Sequence, residues 1–304
     1  MPAVLTVDRL HKRYGKIHAV NDLSLEIDQG SVFGILGPNG SGKTTTLGML
    51  LSVIQPDAGS FAWFGQPAES PSRAAASRKK IGAILETPIF YPYLSAVENL
   101  KIVAQIKECT YNRIDEVLRT VDLLERKDDK FKTYSLGMKQ RLAIASALLT
   151  DPQVMILDEP TNGLDPQGIA EIRSLIIQIA EQGKTIVLAS HLLDEVQKVC
   201  THFAVLKRGK RIYTGRVDEA LSGTDTIEVA AANMEQLQQL AQQFPFTEQV
   251  QRENGVLRVH LHSEKSSADL NHYLIDQGVV VSHLSQKTKS LEQQFLELLS
   301  TSDD

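Results

Sequence analysis

An α/β fold is what this 304-residue sequence predicts, on three observations. Short apolar runs alternate with helical patterns from Ala3 to about Gly215, which is the order of an α/β domain. A glycine-rich turn, Gly37-Pro38-Asn39-Gly40-Ser41-Gly42-Lys43-Thr44, directly follows one apolar run and precedes a helical pattern. A second run, Val154-Met155-Ile156-Leu157, ends on two adjacent carboxylates, Asp158 and Glu159.

Taken in order, Val4 to Val7 and Ser24 to Ile27 read as strands of an antiparallel edge layer. Val32 to Leu36 is continuously apolar, as a strand buried on both faces must be. Thr45 to Leu51 reads as the helix behind the glycine-rich turn. That turn carries the P-loop spacing, in which backbone N–H groups and the positive end of a helix face a polyphosphate. Gly37, Asn39, Gly40, Ser41, Gly42 and Thr45 are expected to cradle the phosphates. Lys43 is expected to reach the β- and γ-phosphates and the Thr44 hydroxyl to ligate Mg²⁺.

Val154 to Glu159 reads as a buried strand that delivers acids at its C-terminal end. Asp158 would hold Mg²⁺ and Glu159 would polarise the attacking water, with the two side chains on opposite sides of one strand and therefore in different roles. Ile169 to Glu181 follows as a helix, and Ile186 to Ala189 and Phe203 to Leu206 as further strands. Ser135 and Gly137 lie at a helix start, a second anion site.

Tyr134-Ser135-Leu136-Gly137-Met138-Lys139-Gln140-Arg141 resembles the signature motif of ATP-binding-cassette (ABC) ATPases. The resemblance covers about residues 3 to 215. It implies a RecA-like P-loop core with an antiparallel β layer and a helical subdomain. In this family the signature serves the partner subunit's nucleotide, so a homodimer with ATP between P-loop and signature is implied. Asn162-Gly163-Leu164-Asp165 resembles the loop that crosses that interface, His191 the switch histidine at the γ-phosphate, and Tyr14 the aromatic on adenine. Two positions depart from the family pattern: Leu136 replaces a glycine of the signature, and Glu86 stands where a Mg²⁺-binding glutamine is expected. Glu86 and the stretch after it, through Leu100, resemble the bacitracin-resistance and lantibiotic-immunity branch of exporter ATPases, whose ATPase works with separate membrane permeases. Phe90, Tyr91 and Tyr93 are expected to line the permease socket, or else the helical subdomain's own core.

The implied function is ATP hydrolysis that powers export, with Glu159, His191 and Lys43 as catalytic residues and Thr44, Asp158 and Glu86 toward Mg²⁺. The alternative is a soluble ABC ATPase acting on a ribosome or DNA. Such members resemble paired cassettes or carry long inserted coiled coils, neither of which fits one cassette with a short stretch between motifs. Net charge is −5, from 32 Lys+Arg against 37 Asp+Glu, so no nucleic-acid partner is expected. Arg78-Lys79-Lys80 reads as solvated surface. No run is apolar enough to span a membrane and the N-terminal residues lack a secretory h-region, so a cytoplasmic protein, held to the membrane through a permease, is expected.

Beyond about residue 220 the chain reads as a second, small α/β domain, for which a ferredoxin-like arrangement is one candidate. The domains are expected at 1–220 and 221–304. Thr226 to Ala230 is a strand, Met234 to Phe244 a helix, and Asn254-Gly255 marks a hairpin turn. Ser290 to Leu299 reads as a helix with Leu291, Phe295 and Leu298 on one face. His260 and His262 share a strand face and read as exposed polar residues rather than metal ligands; Cys109 and Cys200 read as reduced thiols. This domain's role is left open between permease binding, dimer completion and regulation.

Overall fold

The computed structural model describes residues 2–68, 71–85, 89–221, 226–253, 255–262 and 265–287. Glu86, Asn254 and the expected helix at 290–299 lie outside the described residues. Residues up to Arg216 form one compact unit, and those from Val217 a second.

In the first unit, the hairpin β1 (Ala3–Tyr14) and β2 (Ile17–Asp28) precedes β3 (Val32–Leu36), α1 (Lys43–Leu50), β4 (Ala58–Trp63) and β5 (Gln66–Pro67). Strands β2-β1-β4-β5 make the antiparallel layer expected for Val4 to Val7 and Ser24 to Ile27. Next come α2 (Pro71–Arg78), β6 (Ile81–Ile84), α3 (Ala96–Ile106), α4 (Ile114–Thr120), α5 (Leu136–Leu148) and β7 (Val154–Asp158). The unit ends with α6 (Pro166–Glu181), β8 (Thr185–Ser190), α7 (Leu193–Val199), β9 (His202–Lys207) and β10 (Lys210–Arg216).

The central sheet runs β10-β9-β3-β8-β7-β6, with every pair parallel except the β9–β10 hairpin. Strands β3, β7 and β8 are buried along their whole length, the reason their sequences are unbroken apolar runs. Because β7, β8 and β3 are neighbours, their C-terminal ends open on one edge, where ligands of such sheets bind. One core joins Leu5, Leu23 and Ile27 of the antiparallel layer to Leu47 of α1 and to Ile35 and Ile156 of the central sheet. Helices α3, α4 and α5 pack on one another around the fully buried Leu100, Leu118 and Leu142. Arg78, Lys79 and Lys80 are exposed.

In the second unit, α8 (Val217–Leu221) leads into β11 (Thr226–Ala231), α9 (Met234–Gln243), β12 (Thr247–Glu253), β13 (Val256–Leu261), α10 (Ser267–Asp276) and β14 (Val281–Lys287). The sheet order β12-β13-β11-β14, antiparallel throughout, is that of the ferredoxin-like βαββαβ motif. Alternate residues of β11 and β13 bury Ile227, Val229, Leu257 and Val259 against Leu237 of α9 and Leu270 and Leu274 of α10. Gly255 has φ 82, as the hairpin requires. The two histidines each have a partner of their own: His260 Nδ1 lies 3.4 Å from Thr226 Oγ1, and His262 Nδ1 lies 2.9 Å from Glu248. Both cysteines are free thiols.

Helix α10 starts with a capping box. The Ser266 backbone N–H and hydroxyl donate to Asp269 Oδ2 at 2.9 and 2.8 Å, and with the nearby Lys265 ammonium they hold the carboxyl at about 2. A depressed folded-state value means that this contribution is present in full above about pH 4 and is lost as pH falls through about 2. Carboxyl NMR titration of Asp269 should give that low value, and Ser266→Ala, which removes the hydroxyl but keeps the backbone donor, should raise it.

Candidate active site

The turn from β3 to α1 is held between two backbone walls. Gly42, at the N-cap of α1, has φ 105, and a Cβ there would stand 2.2 Å from the Ala19 carbonyl oxygen of β2. A Cβ at Gly37 would meet Ser41 Oγ at 2.4 Å and the Leu206 carbonyl oxygen at 2.5 Å. The Gly209 N–H donates to the Ser41 carbonyl at 3.0 Å, closing the wall from the β9–β10 turn. Asn39 and Gly40 are exposed at the tip, Thr44 is exposed, and Thr45 is half-buried. The first-turn N–H groups of α1 therefore face an open loop with no acceptor inside the helix, the arrangement that binds anions.

Lys43 is almost wholly buried, and its ammonium donates to the Gly37 carbonyl at 2.7 Å. The same nitrogen lies 3.3 Å from Glu159 Oε1, while Glu159 Oε2 lies 2.7 Å from His191 Nδ1. The Thr44 hydroxyl donates to Asp158 Oδ2 at 2.7 Å. The edge thus gathers, from three separated segments, a cation, two carboxylates, a hydroxyl and an imidazole.

One expectation is corrected. Glu159 does not share a strand with Asp158: β7 ends at Asp158, and Glu159 turns out of it with φ 47. Its N–H donates to the Ala189 carbonyl of β8 at 2.9 Å, and Pro160 follows, which cannot donate to a ladder. It is this left-handed turn, not strand alternation, that sends Asp158 to Thr44 and Glu159 to Lys43 and His191.

Ser135, Gly137 and Asp165 form a second group. Ser135 caps α5 by accepting from the Met138 N–H at 3.2 Å, and Asp165 caps α6 by accepting from the Gly168 N–H at 2.9 Å. Leu136 is half-exposed and lies where a Cβ on Gly163 would touch it at 3.4 Å, so it lies against the loop at Gly163. These residues line one surface pocket of about 440 Å³ in which none of Gly37 to Thr44, Asp158, Glu159 or His191 takes part. Tyr14 ends β1 with its ring 48% exposed and the Lys12 ammonium 5.6 Å from its centre.

The aromatic segment divides. Phe90 is half-buried and packs edge-on against Phe131 at 5.2 Å, in line with the alternative expectation that it joins the helical subdomain. Tyr91 and Tyr93 are 61% and 72% exposed. Their loop is anchored by the buried Asn99, which accepts from the Tyr91 N–H at 2.8 Å and donates to the carbonyls of Tyr91 and Ser95.

Sequence reasoning missed a buried cluster behind the site. Glu195 on α7 accepts from the Thr161 hydroxyl at 2.7 Å and from Ser190 at 3.4 Å. Burial pushes its carboxyl above the usual range, against the Thr161 hydrogen bond. A glutamate in a helix preceded by Asp194 gives no sequence signal that it is turned inward.

The Thr44 hydroxyl and the Asp158 carboxylate form a hard-oxygen pair of the kind that, with phosphate oxygens and water, takes Mg²⁺. Among the described residues no cluster of three or more His, Cys, Asp or Glu could hold a metal alone.

The ABC transporter family matches residues 20–162. The bacitracin transport ATP-binding protein BcrA of Bacillus licheniformis is 37% identical over 303 residues, covering 98% of each chain. The structure of CbiO1 from Clostridium perfringens, part of the ABC transporter complex CbiONQ, matches with TM-score 0.67 and 29% identity over 81% of this chain and 97% of that one. A dimeric post-hydrolysis structure of the ATP-binding cassette MJ0796, bound to ADP and Pi, matches with TM-score 0.63 and 26% identity over 70% and 98%. A P-loop edge, a signature helix and a relative matched from end to end lead to one assignment: the chain belongs to the ABC transporter ATP-binding proteins, as an ATP-binding, ATP-hydrolysing subunit of the branch that includes BcrA.

Proposed function

We propose that two copies of this chain close head to tail on two ATP molecules and drive export through a separate membrane permease. The observation that carries this reading is the separation of the two anion-binding groups within one chain. Gly37 to Thr44 lies with Glu159 and His191, whereas Ser135, Gly137 and Asp165 share another pocket. A second copy supplies what each site lacks.

In this reading the loop amides and Lys43 bind the β- and γ-phosphates, and Tyr14 stacks on adenine. Thr44 and Asp158 hold Mg²⁺, with Glu86 as a further ligand; bound there, the ion neutralises phosphate charge. Glu159 accepts a proton from the attacking water, and His191, hydrogen-bonded to it, contacts the γ-phosphate. Lys43 must exchange its contact with Glu159 for phosphate when ATP enters, which frees the carboxylate for water.

No helix among the described residues is long and apolar enough to cross a membrane, so transport requires a partner that is. The cargo class we propose is a drug or peptide antibiotic, in line with the name of BcrA. Tyr91 and Tyr93, exposed on a loop whose backbone Asn99 fixes, form the permease socket. The chain is then peripheral on the inner membrane face, and residues 221–304 form an accessory domain.

The test is affinity purification of tagged Glu159→Gln protein with ATP from detergent-solubilised membranes of the native host. A polytopic membrane protein should copurify in near-stoichiometric yield. Adding Tyr91→Ala and Tyr93→Ala should abolish that recovery while ATP binding persists. Recovery with ribosomes or nucleic acid alone contradicts the exporter reading.

A further inference from the structure

Glu195 is only 4% exposed. A buried carboxyl is costly unless it is hydrogen-bonded, and this one uses its partners unevenly. Oε2 receives both hydroxyl donors, while Oε1 is buried with no hydrogen-bond partner among the described residues. The two donors lie on the segments that carry the hydrolytic pair. Thr161 is two residues after Glu159, and Ser190 directly precedes His191. Ser190 Oγ also accepts the Leu192 N–H at 3.0 Å, which fixes the turn on the far side of His191.

On the site side, the same two segments meet through the Glu159 N–H to the Ala189 carbonyl and through Glu159 Oε2 to His191 Nδ1. The contacts close a ring: Glu159, Thr161, Glu195, Ser190, His191 and back to Glu159. We propose that Glu195 is a positioning residue, which sets the distance and angle between Glu159 and His191 from behind by tying Thr161 to Ser190. The inference rests on the hydrolytic roles proposed above for Glu159 and His191. A hydrophobic residue of similar volume would fill the space without the desolvation cost, so packing alone does not account for a glutamate here. Through Oε2 the side chain acts as a hydrogen-bond acceptor for both hydroxyls, a task the glutamine oxygen can copy.

The test uses full-length protein and compares Glu195→Gln, Glu195→Leu, the double variant Thr161→Val with Ser190→Ala, and Glu159→Gln. Steady-state kcat and KM for ATP are measured with the affinity for a fluorescent ATP analogue. Glu195→Leu and the double variant are expected to lower kcat by about ten- to a hundredfold, the cost of a small misplacement of reacting groups, with KM and nucleotide affinity unchanged. Glu195→Gln is expected to keep kcat near the wild-type value. Should Glu195→Leu fail to fold, the double variant, which removes only the two donors, decides the matter. An unchanged kcat in the double variant, an equal loss of nucleotide affinity, or a Gln variant as damaged as Leu overturns the proposal. If Glu159→Gln hydrolyses ATP normally, the underlying reading falls and the inference with it. If Glu159→Gln is inactive but the double variant is not, only the inference falls.

Discussion

Glu159→Gln is expected to lower ATP turnover by at least about a hundredfold, the range over which a positioned general base contributes. The amide keeps the size and the acceptor oxygen, so the contacts to Lys43 at 3.3 Å and to His191 at 2.7 Å have a substitute. What it loses is the capacity to take a proton. Binding of ATP relies on the loop amides, Lys43 and Thr44, which the change leaves in place. The variant should therefore accumulate as an ATP-bound dimer, visible as a nucleotide-dependent doubling of mass by light scattering. Hydrolysis at the wild-type rate would remove Glu159 from the proposed role.

Gly42→Ala should abolish nucleotide binding more completely than any other single methyl added to the loop. At φ 105 an L-residue is strained, and the added Cβ would stand 2.2 Å from the Ala19 carbonyl oxygen, a backbone atom that cannot swing aside. Either β2 or the loop must move, and the N–H groups of the first turn of α1 move with it. Charge-assisted hydrogen bonds contribute about 1.5–3 kcal/mol each, so misplacing two of them lowers ATP affinity by about a hundredfold or more. Gly40→Ala is the control within the same loop: its φ is 78, but no atom lies within 4 Å of the added Cβ. It shares the conformational cost without the collision. Calorimetric titration with ATP should separate the two variants; equal affinities would mean that the β2 wall does not shape the loop.

Much of the fold and half of the site were legible in the residues because the signals are local. A P-loop is a spacing of glycines, a lysine and a hydroxyl over eight consecutive positions, and the helix that follows supplies its dipole regardless of distant packing. Strands β3, β7 and β8 declare themselves as unbroken apolar runs because parallel strands are buried on both faces. The hairpin and alternating strands of the second unit are legible for the same reason of period and turn chemistry.

Tertiary structure alone decided which strand ends meet. The order β7-β8-β3 places Asp158, His191 and Lys43 on one edge though the chain separates them widely, and no local pattern encodes a neighbour in a sheet. It also decided that Glu159 leaves β7 in a left-handed turn, because its N–H finds the Ala189 carbonyl of another strand. It turned Phe90 onto Phe131 while leaving Tyr91 and Tyr93 outside, and it buried Glu195 between Thr161 and Ser190. By itself, the sequence determined the chemistry this protein carries, since that depends on residue type and short spacing. Which side chains face one another is decided by burial and long-range hydrogen bonding, which exist only once the sheet has formed.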